Sequence, residues 1–333
     1  MKDNLPSVSI IIPCRNEEGF IKECLDSILN QDYPKDKIEI LVVDGMSEDK
    51  TREILKKYQE EYLFIKVLDN FKKITPTALN VGIRAARGEI IVRMDSHAGY
   101  DKEYVSKSVE YLEKYDADNI GGIMLTLPAD NSLTAKAIVL SLSHPFGVGN
   151  SYFRMKTKEP RSVDTVFGGC YRKEIFNKIG FFNEKLLKSQ DMEFNLRLKK
   201  AGGKILLFPD IISRYYPKPD FKNFFLHDLN NGFWIIYSLK FAKVPLRLRH
   251  YAPFVFVFVL LLIGILSIFF LAFFYIFIFM VGLYFLLSLC FSANIAIKEK
   301  EIRLLFLMPI AFVIRHLGYG IGSTWGLIRL FKE

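Results

Sequence analysis

The sequence predicts an α/β domain, Rossmann-like with a mainly parallel sheet flanked by helices, followed by C-terminal transmembrane helices. Two observations carry this. Short apolar runs alternate with amphipathic stretches through the first half, which implies right-handed βαβ units. From Tyr251 to Ile297 there is no Asp, Glu, Lys, Arg or His, whereas about 20 apolar residues suffice to span a bilayer.

The elements follow in order. Val8–Ile12 is dense in β-branched residues and reads as a buried strand. Phe20, Ile21, Cys24, Leu25, Ile28 and Leu29 draw one stripe on a helix. Strands are expected over 38–43, 64–68 and 90–94, with helices over 51–58 and 77–87. A helix is expected over 133–143, a mobile loop over 144–160, a strand over 163–170 and a helix over 173–179. A last helix runs over 191–200, stopped by Gly202-Gly203.

Four domains are expected: a cytosolic catalytic domain over 1–219, a juxtamembrane region over 220–250, a two-helix hairpin over 251–297 and a third membrane segment over 304–331. Phe221, Phe225, Leu229, Phe233 and Ile236 repeat at helical spacing, which suits a helix in the membrane interface or one packed on a core. The third segment carries Arg315 and His316 near its middle, so crossing, lying flat and re-entry all stay open.

Charge sets the expected orientation. Lys240, Lys243, Arg247, Arg249 and His250 precede the hairpin, and Lys298, Lys300 and Arg303 follow it. Positive flanks stay inside, so both ends of the hairpin are expected on the cytoplasmic side of the cell membrane. Met1–Pro6 is polar, and no secretory signal is expected there. The net charge of +9 is explained by attraction to lipid head groups, and nucleic acid is not an expected partner. Cys14, Cys24, Cys170 and Cys290 have no metal-like or disulfide-like spacing.

The chemistry is expected just beyond the strand ends, where ligands bind in open α/β sheets. Strand one runs into Pro13-Cys14-Arg15-Asn16-Glu17, strand two into Asp44-Gly45 and strand four into Asp95-Ser96-His97; Gln190-Asp191 comes later. Such an edge fits group transfer from a nucleotide diphosphate. A divalent cation would neutralise the leaving group, with Asp95 as best ligand and His97 as a possible second. Mn²⁺ or Mg²⁺ is the expected cofactor, the histidine favouring Mn²⁺. Asp191 suits a general base, and Asp44 could accept a hydrogen bond from a base N–H.

Six spaced segments resemble glycosyltransferase family 2 and its GT-A fold, nearest to the membrane-anchored exopolysaccharide glucosyltransferases of the succinoglycan type. They are 9–17, 43–51, 78–88, 93–97, Phe167-Gly168-Gly169-Cys170-Tyr171 and 190–197. The resemblance spans roughly 7–215. It implies that Pro13, Asn16, Glu17, Asp44 and Asp95 hold a nucleotide-sugar donor, and that Asp95 and His97 hold the metal. By the same resemblance Asp191 is the base, and Gly168, Gly169, Gln190 and Arg197 face the sugar and acceptor.

The chain departs from the family pattern at three places. Asp-x-Asp becomes Asp95-Ser96-His97, and Glu-Asp becomes Gln190-Asp191. No Gln-x-x-Arg-Trp element follows the catalytic domain, which favours single additions over polymerisation. The expected enzyme is an inverting hexosyltransferase, UDP-glucose its leading donor, acting on a lipid-linked saccharide at the membrane. Polyprenyl phosphate is the rival acceptor, and a non-catalytic membrane-tethered nucleotide-binding module is the rival of a different class.

Overall fold

The computed structural model describes residues 5–332, and the first four residues of the polar N-terminal stretch lie outside them. In chain order the first elements are β1 (Val8–Cys14), α1 (Ile21–Leu29), β2 (Ile38–Asp44), α2 (Thr51–Glu61), β3 (Ile65–Asp69) and α3 (Thr75–Ala85). Next come β4 (Ile90–Arg93), β5 (Ala98–Tyr100), α4 (Tyr104–Lys114), β6 (Asn119–Thr126), α5 (Leu133–Ser143) and α6 (Pro145–Val148). Then follow β7 (Arg161–Ser162), β8 (Cys170–Arg172), α7 (Glu174–Ile179), α8 (Gln190–Lys200) and β9 (Ile205–Tyr215). The chain ends in α9 (Phe221–Tyr237), α10 (Leu239–Ala242), α11 (Leu248–Phe269), α12 (Leu271–Glu299) and α13 (Leu304–Lys332).

Two compact units form, and neither is continuous in sequence. Among the described residues, one comprises those up to Leu125 together with Lys156–Tyr215; the other comprises Thr126–Met155 and those from Tyr216 onward.

The first unit is a mixed sheet in the order β3-β2-β1-β4-β8-β6-β9-β5, with β7 on β9. The parallel pattern expected from the βαβ repeats holds for β3-β2-β1-β4. Beyond β4 the pairings of β8 with β4 and β6, and of β9 with β5 and β7, are antiparallel. Antiparallel neighbours need no crossover helix, so the regular alternation that betrays a parallel sheet is lost there. The strand expected over 163–170 is reduced to β8 at its end, because Gly168 and Gly169 adopt φ values of +69° and +113° that no strand accommodates.

Strand β1 lies inside the sheet between β2 and β4, its Val8, Ile10, Ile11 and Ile12 buried on both faces. Its register sets the site: Cys14 pairs with Asp44 on one side, and Ile11 pairs with Arg93 on the other. The chain reverses its direction of growth between β1 and β4, which is where such sheets leave a crevice. The three loops that follow β1, β2 and β4 therefore open at one edge.

The second unit is helical. Phe277 lies against Gly264, and Phe256 stacks on Tyr284, so α11 and α12 form an antiparallel hairpin hinged at Phe270. Among the described residues three helices, α11, α12 and α13, are long and apolar enough to cross a membrane. They differ in exposure: 6% of the apolar window is buried in α11 and in α12, against 44% in α13. The hairpin thus presents apolar surface outward, while α13 is the packed one.

Close approach to α9 explains the burial of α13. A Cβ on Gly322 would stand 1.9 Å from the Leu229 carbonyl oxygen, and one on Gly232 would stand 2.0 Å from that of Tyr319. Small residues let two backbones meet in this way. Helix α9 accordingly packs on α13 rather than standing alone. Ala137, Ile138 and Leu142 of α5 join Phe224, Leu304, Met308 and Phe312 in the same apolar cluster. Arg315 donates from Nη1 to the fully buried Asp228 at 2.8 Å and from Nε to the Gly147 carbonyl. The charge in the middle of the last helix is therefore paired inside the unit. The segment expected to be a mobile loop supplies α6 and this carbonyl.

Candidate active site

The loops after β1 and β2 are stitched together through Asn16. Its amide donates to Ser47 Oγ at 2.8 Å, and its Oδ1 accepts from Glu48 N at 2.9 Å. Asn16 takes a left-handed φ of 54°, which asparagine tolerates better than most residues. Glu17 N donates to Thr51 Oγ1 at 2.8 Å, and its carbonyl receives the Phe20 and Ile21 amides that start α1. Pro13 sits in β1 opposite Val43.

Asp44 ends β2 with no exposed surface. Its carboxylate accepts from Ser47 Oγ at 2.5 Å and from Ser47 N at 3.1 Å, and Arg52 Nη1 stands 3.2 Å away. These donors offset the cost of burying the charge. The Cys14 thiol, pushed up by burial and by the Asp44 charge, stays protonated and directs its hydrogen at Asp44.

Asp95 follows β4. Its amide donates to Tyr100 Oη at 2.6 Å, which turns the chain at the strand end. Its carboxylate is held by Arg93, from Nε at 3.1 Å and from Nη2 at 3.0 Å. Burial works against the Arg93 charge, but Asp95 and Asp191 outweigh it and hold the guanidinium above the ordinary arginine value. His97 is half-exposed, with Nδ1 3.2 Å from Glu17 Oε1. Burial alone would lower its pKa; the bond to Glu17 and the Asp95 charge win, and the pKa is raised.

The Gly168-Gly169 turn runs directly beneath Arg93. Arg93 N donates to the Gly169 carbonyl at 2.9 Å, and a Cβ on Gly168 would stand 2.8 Å from the Arg93 carbonyl oxygen. Positive φ and close approach both demand glycine there. Asp191 lies in the first turn of α8, half-buried, its Oδ1 accepting from Met192 N at 2.8 Å. Gln190 beside it is buried, and its Oε1 has no hydrogen-bond partner among the described residues.

Arg197 is spent elsewhere. It pairs with Glu193 at 2.7 Å, and donates to the Ile179 carbonyl and, at 2.8 Å, to that of Phe181. These bonds make it a brace for the turn before α8. Asn80 of α3 clamps the same turn, donating to the Phe182 carbonyl at 2.9 Å and accepting from Phe182 N at 3.0 Å.

The edge therefore gathers Asn16, Glu17, Asp44, Asp95 and His97, with Gly168-Gly169 against Arg93. Ser47 and Arg93 fall inside the motif segments without a role assigned to them, and Arg52 lies just beyond one; the structure sets all three against the candidate carboxylates. A signal existed for Arg93, since residues two apart on a strand share a face, and Arg93 stands two before Asp95.

Among the described residues no group of three or more His, Cys, Asp or Glu is placed to cage a metal. A lone carboxylate with a neighbouring imidazole still fits Mg²⁺ or Mn²⁺. Such ions keep waters and take the remaining oxygens from a bound diphosphate.

Sheet, flanking helices and edge loops together define a GT-A fold. The chain belongs to glycosyl transferase family 2, whose pattern it matches over residues 9–180. It is 31% identical over 330 residues to a Methanococcus voltae dolichyl N-acetyl-alpha-D-glucosaminyl phosphate 3-beta-D-2,3-diacetamido-2,3-dideoxy-beta-D-glucuronosyltransferase, covering 97% of each chain. It is 29% identical over 220 residues to the succinoglycan biosynthesis protein ExoA of Rhizobium meliloti, covering 65% of this chain and 66% of that one. Among solved structures, the mannosyltransferase PcManGT of Pyrobaculum calidifontis, in complex with GDP-Man and Mn²⁺, aligns with a TM-score of 0.63 at 17% identity. That alignment covers 96% of this chain and 88% of the other.

Proposed function

We propose that this glycosyltransferase is an inverting enzyme that moves a hexose from a nucleotide-sugar to a lipid-linked saccharide at the cytoplasmic face of the cell membrane. The observation that carries the reading is the single sheet edge on which Asn16, Glu17, Asp44, Asp95 and His97 meet. Asp44 and the Asn16–Ser47 stitch would hold the nucleoside. Asp95 and His97 would hold a divalent cation, which when bound supplies Lewis-acid neutralisation of the departing diphosphate.

Asp191 would take the proton from the acceptor hydroxyl as that oxygen attacks the anomeric carbon on the face opposite the diphosphate. By the family resemblance, Gly168 and Gly169 would shape the floor beneath sugar and acceptor. The orphan Gln190 Oε1 offers an acceptor to a sugar or acceptor hydroxyl. UDP-glucose is the first donor to test; the uronic sugar in the name of the Methanococcus relative widens the set to modified hexoses. The dolichyl-linked acceptor in that same name supports a polyprenyl-linked saccharide here, and the apolar hairpin would place the enzyme beside it.

The test is transfer from labelled nucleotide-sugars onto polyprenyl-linked saccharide and, in parallel, onto polyprenyl phosphate. Product with the saccharide, lost in Asp191→Asn, is expected. A phosphate acceptor is already ionised, so product only with polyprenyl phosphate and insensitive to Asp191→Asn would overturn the reading.

A further inference from the structure

Arg93 carries an unresolved demand. Its side chain is 9% exposed, and two of its three nitrogens grip Asp95. Its third nitrogen, Nη1, is buried with no hydrogen-bond partner among the described residues. An unmet buried donor on a cation is costly, and in a native protein it calls for an explanation. The backbone offers Arg93 no freedom to back away: its amide is tied to Gly169, and its carbonyl faces Gly168 at a distance that excludes a Cβ.

The grip also bears on what Asp95 can do. A carboxylate that already accepts two bonds from a guanidinium has a unit positive charge beside it. A divalent cation arriving at the same oxygens meets that charge at close range, where Coulomb forces near a protein surface remain strong. A residue that merely filled space would impose no such penalty.

We propose that Arg93 is a resident counter-cation of Asp95: a positioning residue that a divalent cation must displace, and whose freed guanidinium then serves an anionic oxygen of the donor diphosphate. This rests on the reading of Asp95 as the metal ligand. Arg93 thereby tunes cation affinity downward when the donor is absent and restores its contacts when donor and cation arrive together. Asp95 is never left as a bare buried charge.

The test is direct Mn²⁺ binding, read from the free-ion electron paramagnetic resonance signal in detergent-purified protein with and without UDP. Thermal unfolding of each variant serves as a check of folding. Arg93→Met and Arg93→Gln are expected to bind Mn²⁺ alone about tenfold or more tightly than the wild type, since the nearby charge is gone. Both are expected to lose most of the gain in Mn²⁺ affinity that UDP confers on the wild type. A purely structural arginine would weaken binding in both conditions. Asp95→Asn separates the two claims. If it binds Mn²⁺ as the wild type does, the cation does not sit at Asp95 and the whole reading falls. If it loses Mn²⁺ while neither folded Arg93 variant gains affinity, Asp95 stands and the counter-cation is overturned.

Discussion

Two buried arginine–aspartate pairs, one in each unit, are built to different ends. Arg315 meets Asp228 and the Gly147 carbonyl deep in the helical unit, tying α13 to α9 and to the α6 segment. Burial raises the Asp228 pKa, but the Arg315 charge and the hydrogen bond to His227 together outweigh it, so the carboxyl is held below its ordinary value. Arg93 meets Asp95 at a strand end, beside His97, with a nitrogen to spare. The first pair ties helices together; the second stands at the sheet edge proposed to hold the donor. The same two residue types thus take their meaning from what surrounds them.

Substitutions should separate the two sides cleanly. On the catalytic side the largest effect is expected from Asp191→Asn, which should lower the transfer rate by roughly 10²–10⁴-fold, the usual worth of a general base. Its melting temperature should fall only modestly: among the described residues the side chain makes one local hydrogen bond, and its charge is the smaller of the two carboxylate charges that offset the burial of Arg93. On the structural side, Arg315→Ala removes the nearest cation from the buried Asp228 and leaves His227 Nδ1 beside it, 3.4 Å away; breaking a buried pair costs up to about 3–5 kcal/mol in stability. Thermal unfolding in detergent checks this, and any folded fraction should still bind nucleotide. An Arg315→Ala protein that melts like the wild type would break the contrast.

How much of this was legible beforehand depends on the element. The parallel half of the sheet announces itself, because each strand is a run such as Val8–Ile12 and each helix carries a stripe. The antiparallel half hides: β6 contains Gly121-Gly122, which pack against Val166 and Ile211, and glycines read as turns. Asn16, Glu17, Asp44, Asp95 and His97 could be singled out as candidates because they stand just beyond strand ends, and the structure brings them to one edge. The contacts of Ser47 and Arg52 could not, since they depend on how two loops meet; for Arg93 only its place two residues before Asp95 gave a hint. Nor could the fate of Arg315 be read: its partners lie 87 and 168 positions away in the chain.

Two finer effects sharpen the comparison. Asp44→Asn removes the charge that Arg52 and Ser47 face, and hydrogen bonds to charged groups contribute about 1.5–3 kcal/mol. Nucleotide affinity should therefore fall by roughly ten- to a hundredfold, as read by calorimetric titration.

The smallest effect concerns His97. Its pKa is raised, so the His97–Glu17 pair stabilises the fold fully below the ordinary histidine value. That stabilisation is lost as pH rises through the raised one. Melting curves of wild type and His97→Gln should differ slightly at about pH 6 and coincide by about pH 9. The gap opening in the opposite direction would show that His97 is held neutral.

The central claim, that the edge around Asp95 is a metal-assisted nucleotide-sugar site, has a direct test. Detergent-purified protein with Mn²⁺ is screened for thermal shift against UDP, GDP, CDP and TDP, beside Asp95→Ala. Stabilisation by one nucleotide is expected in the wild type and none in the variant. No shift with any nucleotide, or an equal shift in Asp95→Ala, would contradict that claim.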